Sequence, residues 1–243
     1  MIFIDRSQKF NEFFDKISDV RRIDFLVLHH IQANSVEHAI LQLKEHQVSS
    51  HFLIDESGKI FELVDENDVA YHAGVSYWAG IDGLNKTSIG IEFMNVEPFL
   101  KKFTKEQMDA GAQLCRHLIE KYNIKPKNIV GHSDIAYVRE SGILDRKQDP
   151  SHLFDWQFMA ENGVGIFPLT PLKPSVETDK ASLKKSKEML KRFGYKVENI
   201  NDDFDEEMLA LARVFNRRFL NRDSAIWDER FQRILFFLME QIN

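Results

Sequence analysis

Nine histidines are spread along the 243 residues, and two of them stand where imidazole does chemistry. His29 lies at the end of the apolar run "IDFLVLHH" (Ile23–His30), and His132 ends "NIVGH" (Asn128–His132). A dense apolar run that stops on a polar group reads as a buried strand opening into a loop. In open α/β sheets, sites form at the carboxyl ends of strands. Two imidazoles placed there, with a carboxylate such as Asp149 in "KQDP", would suit zinc: three protein ligands and an open fourth position for water. No close pair of histidines on one helical turn accompanies them, so spacing alone leaves ligand and structural roles both open.

Glu92 is a single carboxylate among apolar neighbours in "TSIGIEFMNV" (Thr87–Val96). Such a residue is either an ion-paired core glutamate or a general base beside a metal. Burial would raise its pKa and a nearby cation would lower it, leaving it able to exchange protons near neutral pH. Lys147, two residues before Asp149, is by itself an ordinary loop lysine. His38, His46 and His117 fall among polar neighbours in helical patterns and are expected to be solvated, as is His152 in its loop. "YHAGVSYWAG" supplies His72 and Trp78, each either loop structure or a substrate contact, the aromatic by stacking on a sugar face. Asn85 would bond either a loop backbone or a peptide.

These residues need a scaffold, and the rest of the chain predicts one. Hydrophobic residues make up 43% and charged residues 29%, a globular profile. The net charge of -6 argues against nucleic acid as the main partner, since phosphate binding needs clustered Lys and Arg. Cys115, the one cysteine, excludes an internal disulfide and reads as a buried small hydrophobe. No apolar run reaches the ~20 residues that span a bilayer. The start "MIFIDRSQKFNEFF" lacks a signal peptide's apolar stretch, so the expectation is a chain not addressed for export.

Ser35 caps a helix over Ser35–Gln47, with Val36, Ala39, Ile40 and Leu43 on its apolar face. Two β-rich runs flank Glu56–Lys59 as a hairpin. Thr104 opens a long amphipathic helix, with Gln107 completing a capping box. The pattern predicts an α/β fold, a mixed β-sheet with flanking helices. "FPLTPLKP" (Phe167–Pro174) carries three prolines and reads as a stiff linker. Three helical patterns follow, within 179–195, 205–220 and 224–242. Gly194 stops the first, and the core stripes are Leu209, Ala212, Phe215 and Phe219, then Ile226, Phe231, Leu235 and Leu238.

Five stretches, in order, carry a resemblance: "FLVLHH", "VSSHFLIDESGKIFELV", "AYHAGVSYWAGIDGLNKTSIGIEFMN", "YNIKPKNIVGHSDIA" and "KQDPSHLFDW". Over about Ile23 to Phe167 the chain resembles the zinc-dependent N-acetylmuramoyl-L-alanine amidases, whose fold is shared with peptidoglycan recognition proteins. Its Pro-linked helical end is similar to that of the two-domain AmiD-like branch, which is related to peptidoglycan-binding modules. The resemblance implies a catalytic domain over 1–167, a linker over 168–174 and a helical peptidoglycan-binding-like domain over 175–243. It implies Zn2+ held by His29, His132 and Asp149, with Glu92 as acid/base and Lys147 stabilising an oxyanion. Substrate contacts are expected from His72, Trp78 and Asn85, and no ligand role falls to His30. One departure stands out: the span from His132 to Asp149 is longer than in close relatives, with extra residues around Val138–Leu144. Asp145 therefore competes for the third ligand, although the Asp-Pro pair and Lys147 favour Asp149.

The implied reaction is hydrolysis of the amide between N-acetylmuramic acid and L-alanine of the peptidoglycan stem peptide. Sacculus and soluble anhydro-muropeptide are both candidate substrates, and a monomer is favoured. By resemblance the site of action is the periplasm or cell envelope, with the cytoplasm as alternative. The competing functions are a non-catalytic peptidoglycan-binding module, a zinc endopeptidase cutting within the stem peptide, and a purely structural α/β protein.

Overall fold

The structure, a computed structural model, describes residues 2–138, 140–142, 144–168 and 182–242. From residue 169 onward, the stretch read as a linker lies outside the described residues. In chain order the strands are β1 (Ile4–Asp5), β2 (Phe14–Asp15), β3 (Phe25–Gln32), β4 (Phe52–Ile54), β5 (Ile60–Glu62), β6 (Val69–Ala70), β7 (Tyr77–Trp78), β8 (Ile81–Asp82), β9 (Ser88–Asn95) and β10 (Ile129–Gly131). The helices are α1 (Val36–Glu45), α2 (Lys105–Tyr122), α3 (His132–Ile135), α4 (Trp156–Glu161), α5 (Leu183–Phe193), α6 (Glu206–Phe219) and α7 (Glu229–Gln241).

Six strands make one mixed sheet in the order β1-β5-β4-β9-β3-β10. Within this sheet, among the described residues, only β4 and β5 pair antiparallel, through the hairpin expected from the sequence; β2–β6 and β7–β8 form two small antiparallel pairs beside it. Asp55 builds that turn, its carboxylate accepting from the backbone N–H groups of Ser57 and Lys59. Strand β9 runs parallel to β3 on one side and β4 on the other, and all eight of its residues are buried. A strand covered on both faces carries apolar residues in both directions. Ile89, Ile91 and Phe93 therefore face one apolar cluster and Met94 the other. Gly90, Glu92 and Met94 share the second face by the strand's period of two, and α1 packs there through Ala39 and Leu43.

The first face is covered by α2 through Met108, Ala112, Leu114, Cys115 and Leu118, and by the carboxyl-terminal helices. One apolar cluster runs from Phe25 and Ile91 through Trp78 and Tyr137 to Phe193, Phe215 and Leu235. Burial pushes the Cys115 thiol up to about 12. Thr104 caps α2 as expected, accepting from Gln107 N at 3.1 Å. The reciprocal half of the capping box is not made, because the Gln107 amide instead donates to Ile54 O and Met94 O, both at 2.8 Å, and ties α2 to the sheet. Two stripe residues are also corrected. Leu209 is 42% and Ile226 48% exposed, because α7 starts only after its Asp228 cap and Leu209 lies on the outer side of α6.

Gly111 marks the tightest contact between α2 and the sheet, where an added Cβ would lie 2.5 Å from the Phe93 ring. Alanine is the better helix former by ~1 kcal/mol, but overpacking a closed core costs about 1–3 kcal/mol. Phe93 is fully buried and has no room to retreat, so the steric term wins. Gly111→Ala is expected to lower the urea unfolding midpoint; an unchanged or raised midpoint would show that helix propensity dominates.

Candidate active site

The parallel register of β3 and β9 sets His29 beside Glu92. Residues in register on neighbouring strands project to the same face, so an imidazole and a carboxyl meet over the sheet, 2% and 7% exposed. At the adjacent strand end, Gly131 closes β10 and His132 opens α3. A Cβ at Gly131 would come within 2.9 Å of Pro150 Cδ and 3.2 Å of the Trp156 ring. The missing side chain lets the Asp149–Pro150 segment lie against the strand end. Ser133 N donates to Asp149 O at 2.7 Å and fixes that approach.

His29 Nδ1 and His132 Nδ1 each lie 3.0 Å from Asp149 Oδ2. Ligand atoms of these three residues all fall within 4.8 Å of one another. Nitrogen and carboxylate donors in a set of three fit a tetrahedral zinc site with one open position. The groups behind the imidazoles fit it too. His132 Nε2 faces the carbonyl of Ala73 at 3.3 Å, and His29 Nε2 faces His72 Nδ1 at 3.1 Å. His72 Nε2 in turn reaches Ser88 Oγ at 3.1 Å, and that hydroxyl donates to Leu84 O at 2.7 Å. If both Nδ1 atoms offer lone pairs, each Nε2 carries the proton and has an acceptor waiting, the usual support of a metal-bound histidine. Glu92 Oε2 is buried and has no hydrogen-bond partner.

The electrostatics follow from enclosure. Burial, reinforced by the neighbouring His132, brings the His29 pKa down to about 4. Burial raises the Glu92 pKa well above the glutamate range; the Asp149 charge adds to this and Lys147 opposes it. Burial also disfavours the Asp149 anion, but His132 and His29 together hold its pKa well below the usual carboxylate range. The two carboxyls are thus pushed in opposite directions, Asp149 toward the anion and Glu92 toward the protonated form. The cleft above them, roughly 410 Å³, is also lined by Gln42 of α1 and His46 just beyond it, by Phe99, and by Arg146, Lys147 and Gln148.

The structure brings His29, Glu92, His132, Lys147 and Asp149 to one cleft. Asp145, the sequence competitor for the third ligand, is turned away: its carboxylate faces Arg217 Nη1 at 3.2 Å. His72 lines the cleft floor behind His29. Asn85 reaches the loop backbone, its carbonyl accepting from His72 N at 3.1 Å and Ala73 N at 2.7 Å. Trp78 requires a correction, because at 1% exposure it has no face for a sugar. Its indole N–H donates to Lys127 O at 3.0 Å, and its ring packs on Phe193 and Tyr195. The sequence pattern suggested a loop, whereas the carboxyl-terminal helical segment folds over that ring and covers it.

Sequence reasoning passed over His51, Ser88 and Gly90. A Cβ at Gly90 would sit 2.5 Å from the His72 ring, so this glycine makes room for the imidazole behind His29. His51 Nδ1 accepts from Gly90 N at 3.0 Å, and its Nε2 lies 3.1 Å from Asp68 O. A glycine inside an apolar strand and a histidine opening one ("HFLI") were the available signals. His30 accepts from Ser151 N at 3.1 Å and packs on Phe99, outside the ligand cluster.

The N-acetylmuramoyl-L-alanine amidase family model matches residues 19–152, more than half of the chain. The chain belongs to this family. It is 37% identical over 198 residues to the N-acetylmuramoyl-L-alanine amidase AmiD of Escherichia coli, covering 72% of this chain and 68% of that one. The structure of E. coli AmiD in complex with the substrate anhydro-N-acetylmuramic acid-L-Ala-D-gamma-Glu-L-Lys is similar with a TM-score of 0.77 and 31% identity, over 93% of this chain and 92% of that one. AmpDH3 from Pseudomonas aeruginosa is similar with a TM-score of 0.78 and 28% identity, over 99% of both chains. These likenesses extend across the sheet and the carboxyl-terminal helices alike. No helix among the described residues of this amidase is long and apolar enough to cross a membrane.

Several imidazoles are buried without charge, and this gives the metal-free fold a pH dependence. His29 falls to about 4 and His51 to about 3, both chiefly by burial, and His72 lies well below 6.5 for the same reason. The unfolded chain protonates all three below 6.5 and the folded chain does not, so their stabilisation is present above 6.5 and lost as pH falls toward the folded values. Glu92 has the opposite sign, because the folded chain keeps its proton above 4.5. His30 is also lowered by burial and Asp134 raised by it, so the imidazoles outnumber the opposing carboxyls and unfolding near pH 5.5 should take up protons. Urea unfolding in chelator at pH 7.5, 6.5 and 5.5 is expected to show falling stability; a flat profile would contradict neutral burial of these groups.

Proposed function

We propose that this chain is a zinc-dependent amidase that cleaves the bond between N-acetylmuramic acid and L-alanine of the peptidoglycan stem peptide. His29, His132 and Asp149 are its metal ligands, Glu92 its acid/base and Lys147 its oxyanion-stabilising residue. The observation that carries this reading is the orphaned Glu92 Oε2, buried beside two Nδ1 atoms that converge on one carboxylate oxygen. A core glutamate would have been given a partner; this one is left facing the place where a water must sit. Zinc, when bound there, would supply the positive pole that acidifies water and polarises the scissile carbonyl.

The chain's own groups then divide the work. Glu92 takes the proton of the attacking water on its carboxylate and delivers it to the leaving amine, the nitrogen of L-alanine. Its raised pKa suits the return step, and a nearby cation favours the anion needed for the first. Lys147, exposed at the cleft, offers its ammonium to the oxyanion that develops on the lactyl carbonyl. Asp149, pulled low by its two imidazoles, stays ionised throughout. His72 positions His29, and Asn85 holds the backbone of His72 and Ala73, so their contribution to substrate binding is indirect.

The substrate in the E. coli AmiD complex supports an anhydro-muropeptide for this chain, with the sacculus as the larger alternative. The sacculus would place the chain in the cell envelope, whereas a soluble anhydro-muropeptide is compatible with envelope or cytoplasm. The division into a catalytic unit over 1–167 and a helical unit over 175–243 that aids wall contact rests on resemblance. Because both units share one apolar cluster, wall binding is better tested with surface substitutions on the helices than by deleting them.

Three measurements test the reading. Chelator is expected to abolish release of a stem peptide that begins with L-alanine, seen by mass spectrometry, and added zinc to restore it. Release of shorter peptides instead would mark an endopeptidase, and binding without release a recognition module. Glu92→Gln should keep zinc and lose about 10²–10⁴ in kcat; near-normal turnover would remove its acid/base role. Lys147→Ala should lose ~2.7–4 kcal/mol of barrier lowering with an unchanged melting temperature. A loss confined to KM would assign Lys147 to binding alone.

A further inference from the structure

Two consecutive residues near the end of α6, Arg217 and Arg218, reach opposite sides of the ligand cluster. Successive helical residues point about 100° apart, so one helix end can hold two separate segments. Arg218 goes to the strand end that carries His132. Its Nη2 donates to Ile129 O at 3.0 Å, and its guanidinium lies 3.2 Å over the Trp156 ring. It also stands 3.7 Å from Asp134, whose carboxylate accepts from Gly131 N at 2.7 Å and from the Tyr195 hydroxyl at 3.1 Å.

Arg217 goes to the other side. Its Nη1 and Nη2 face the two oxygens of Asp145 at 3.2 and 3.4 Å, and Nη1 also donates to Lys147 O at 3.4 Å. Asp223 fixes the guanidinium from behind at 2.8 Å. The Arg217 side chain is 2% exposed and that of Asp145 7%, so water does not screen the pair. Arg213, one turn earlier on α6, also faces Asp145, at 3.5 Å. Ser141, Gly142, Lys147 and Gln148 are exposed, and Leu144 is the apolar residue of 144–149 that packs on the core. Asp145 N reaches Tyr137 O at 3.0 Å, and Tyr137 donates in turn to Lys196 O at 2.6 Å. The tethers on the segment before Asp149 therefore lead to the carboxyl-terminal helical part. Among the described residues, Arg146 also bonds Glu140 at 2.6 Å and Val75 O.

We propose that Arg217 is a positioning residue for the amidase reaction: by clamping Asp145 and the Lys147 carbonyl it sets where Lys147 and Asp149 enter the cleft. This inference rests on the roles assigned above to Lys147 and Asp149. The carboxyl-terminal helices thereby complete the catalytic site in addition to any contact they make with the wall. Asp149 itself is fixed from the other side by Ser133 N at 2.7 Å, so the Arg217 clamp acts on the approach from Asp145 through Lys147.

The test uses the full chain with Arg217→Met and Arg217→Lys, and Arg222→Met as comparator. Arg222 pairs with Asp228 inside the helical part, at 2.8 Å, and touches no part of the cleft. Zinc affinity is read by competition with a chromophoric chelator, kcat and KM on an anhydro-muropeptide, and the 144–149 segment by hydrogen exchange. Arg217→Met is expected to weaken zinc binding and lower kcat, each tenfold or more, with KM within threefold and faster exchange at 144–149. Arg217→Lys should recover part of each loss, and Arg222→Met should lower the melting temperature alone. Zinc affinity or kcat within twofold of wild type in both Arg217 variants overturns the proposal. Equal losses in Arg222→Met overturn it as well. The two readings fail separately: a wild-type chain without zinc binding or turnover removes the ligand and catalytic assignments, while hydrogen exchange still reports whether Arg217 holds the loop. Should Arg217→Met not fold, Arg217→Lys and Asp145→Asn carry the same measurements.

Discussion

Two imidazole nitrogens aimed at one carboxylate oxygen, under cover, form the constraint to which the rest of the molecule conforms. Groups of this kind are stable in the interior only when every other polar atom on them is satisfied. Here each ring's outer nitrogen meets an acceptor, Ala73 O for His132 and the His72–Ser88 chain for His29. Glycines stand where those supports need space, at Gly90 beneath His72 and at Gly131 beneath Pro150. Glu92 Oε2, beside the cluster, is among the buried atoms left without a partner by the described residues. Local rules are commonly broken at the place where function demands it.

The sheet supplies the precision. Parallel register between β3 and β9 decides that His29 and Glu92 are neighbours, and a slip of one residue would send Glu92 to the opposite face among Ile91 and Phe93. Loops could not hold that separation as firmly. The second half of the cluster comes from a loop all the same, and helix α6 compensates with two buried arginines. The carboxyl-terminal helices are thus tied to the site by charge and to the sheet by apolar packing around Trp78.

Much of this was legible in the sequence, for reasons that can be named. His29 and His132 were visible because each ends an apolar run, and Glu92 because it interrupts one. The long strands, the hairpin and the longer helices followed from periodicity and caps, although β3 runs past His30 to Gln32 and the short strands and helices α3 and α4 carried no such signal. Contacts between segments distant in sequence were hidden. Gln107 was read as half of a capping box because local spacing cannot reveal that Ile54 O and Met94 O lie within its reach. Trp78 was read as a sugar platform because nothing nearby announces that Phe193 and Tyr195 close over it. Asp149 was favoured over Asp145 from the sequence, but what occupies Asp145 instead, Arg217 at 72 residues' distance, was hidden. His51 escaped notice because its partners, Gly90 N and Asp68 O, are backbone atoms that carry no side-chain signature.

Cys115 lies sealed between α2 and the sheet, its thiol held protonated at any physiological pH. Oxidants and disulfides react with thiolates, so this sulfur offers them no foothold while the fold is intact. A chain with one such cysteine has no partner to mispair with and no oxidation state to maintain. Its integrity is therefore indifferent to the redox poise of its surroundings, and the same fold would serve in the reducing interior of a cell or among the oxidising chemistries of its envelope.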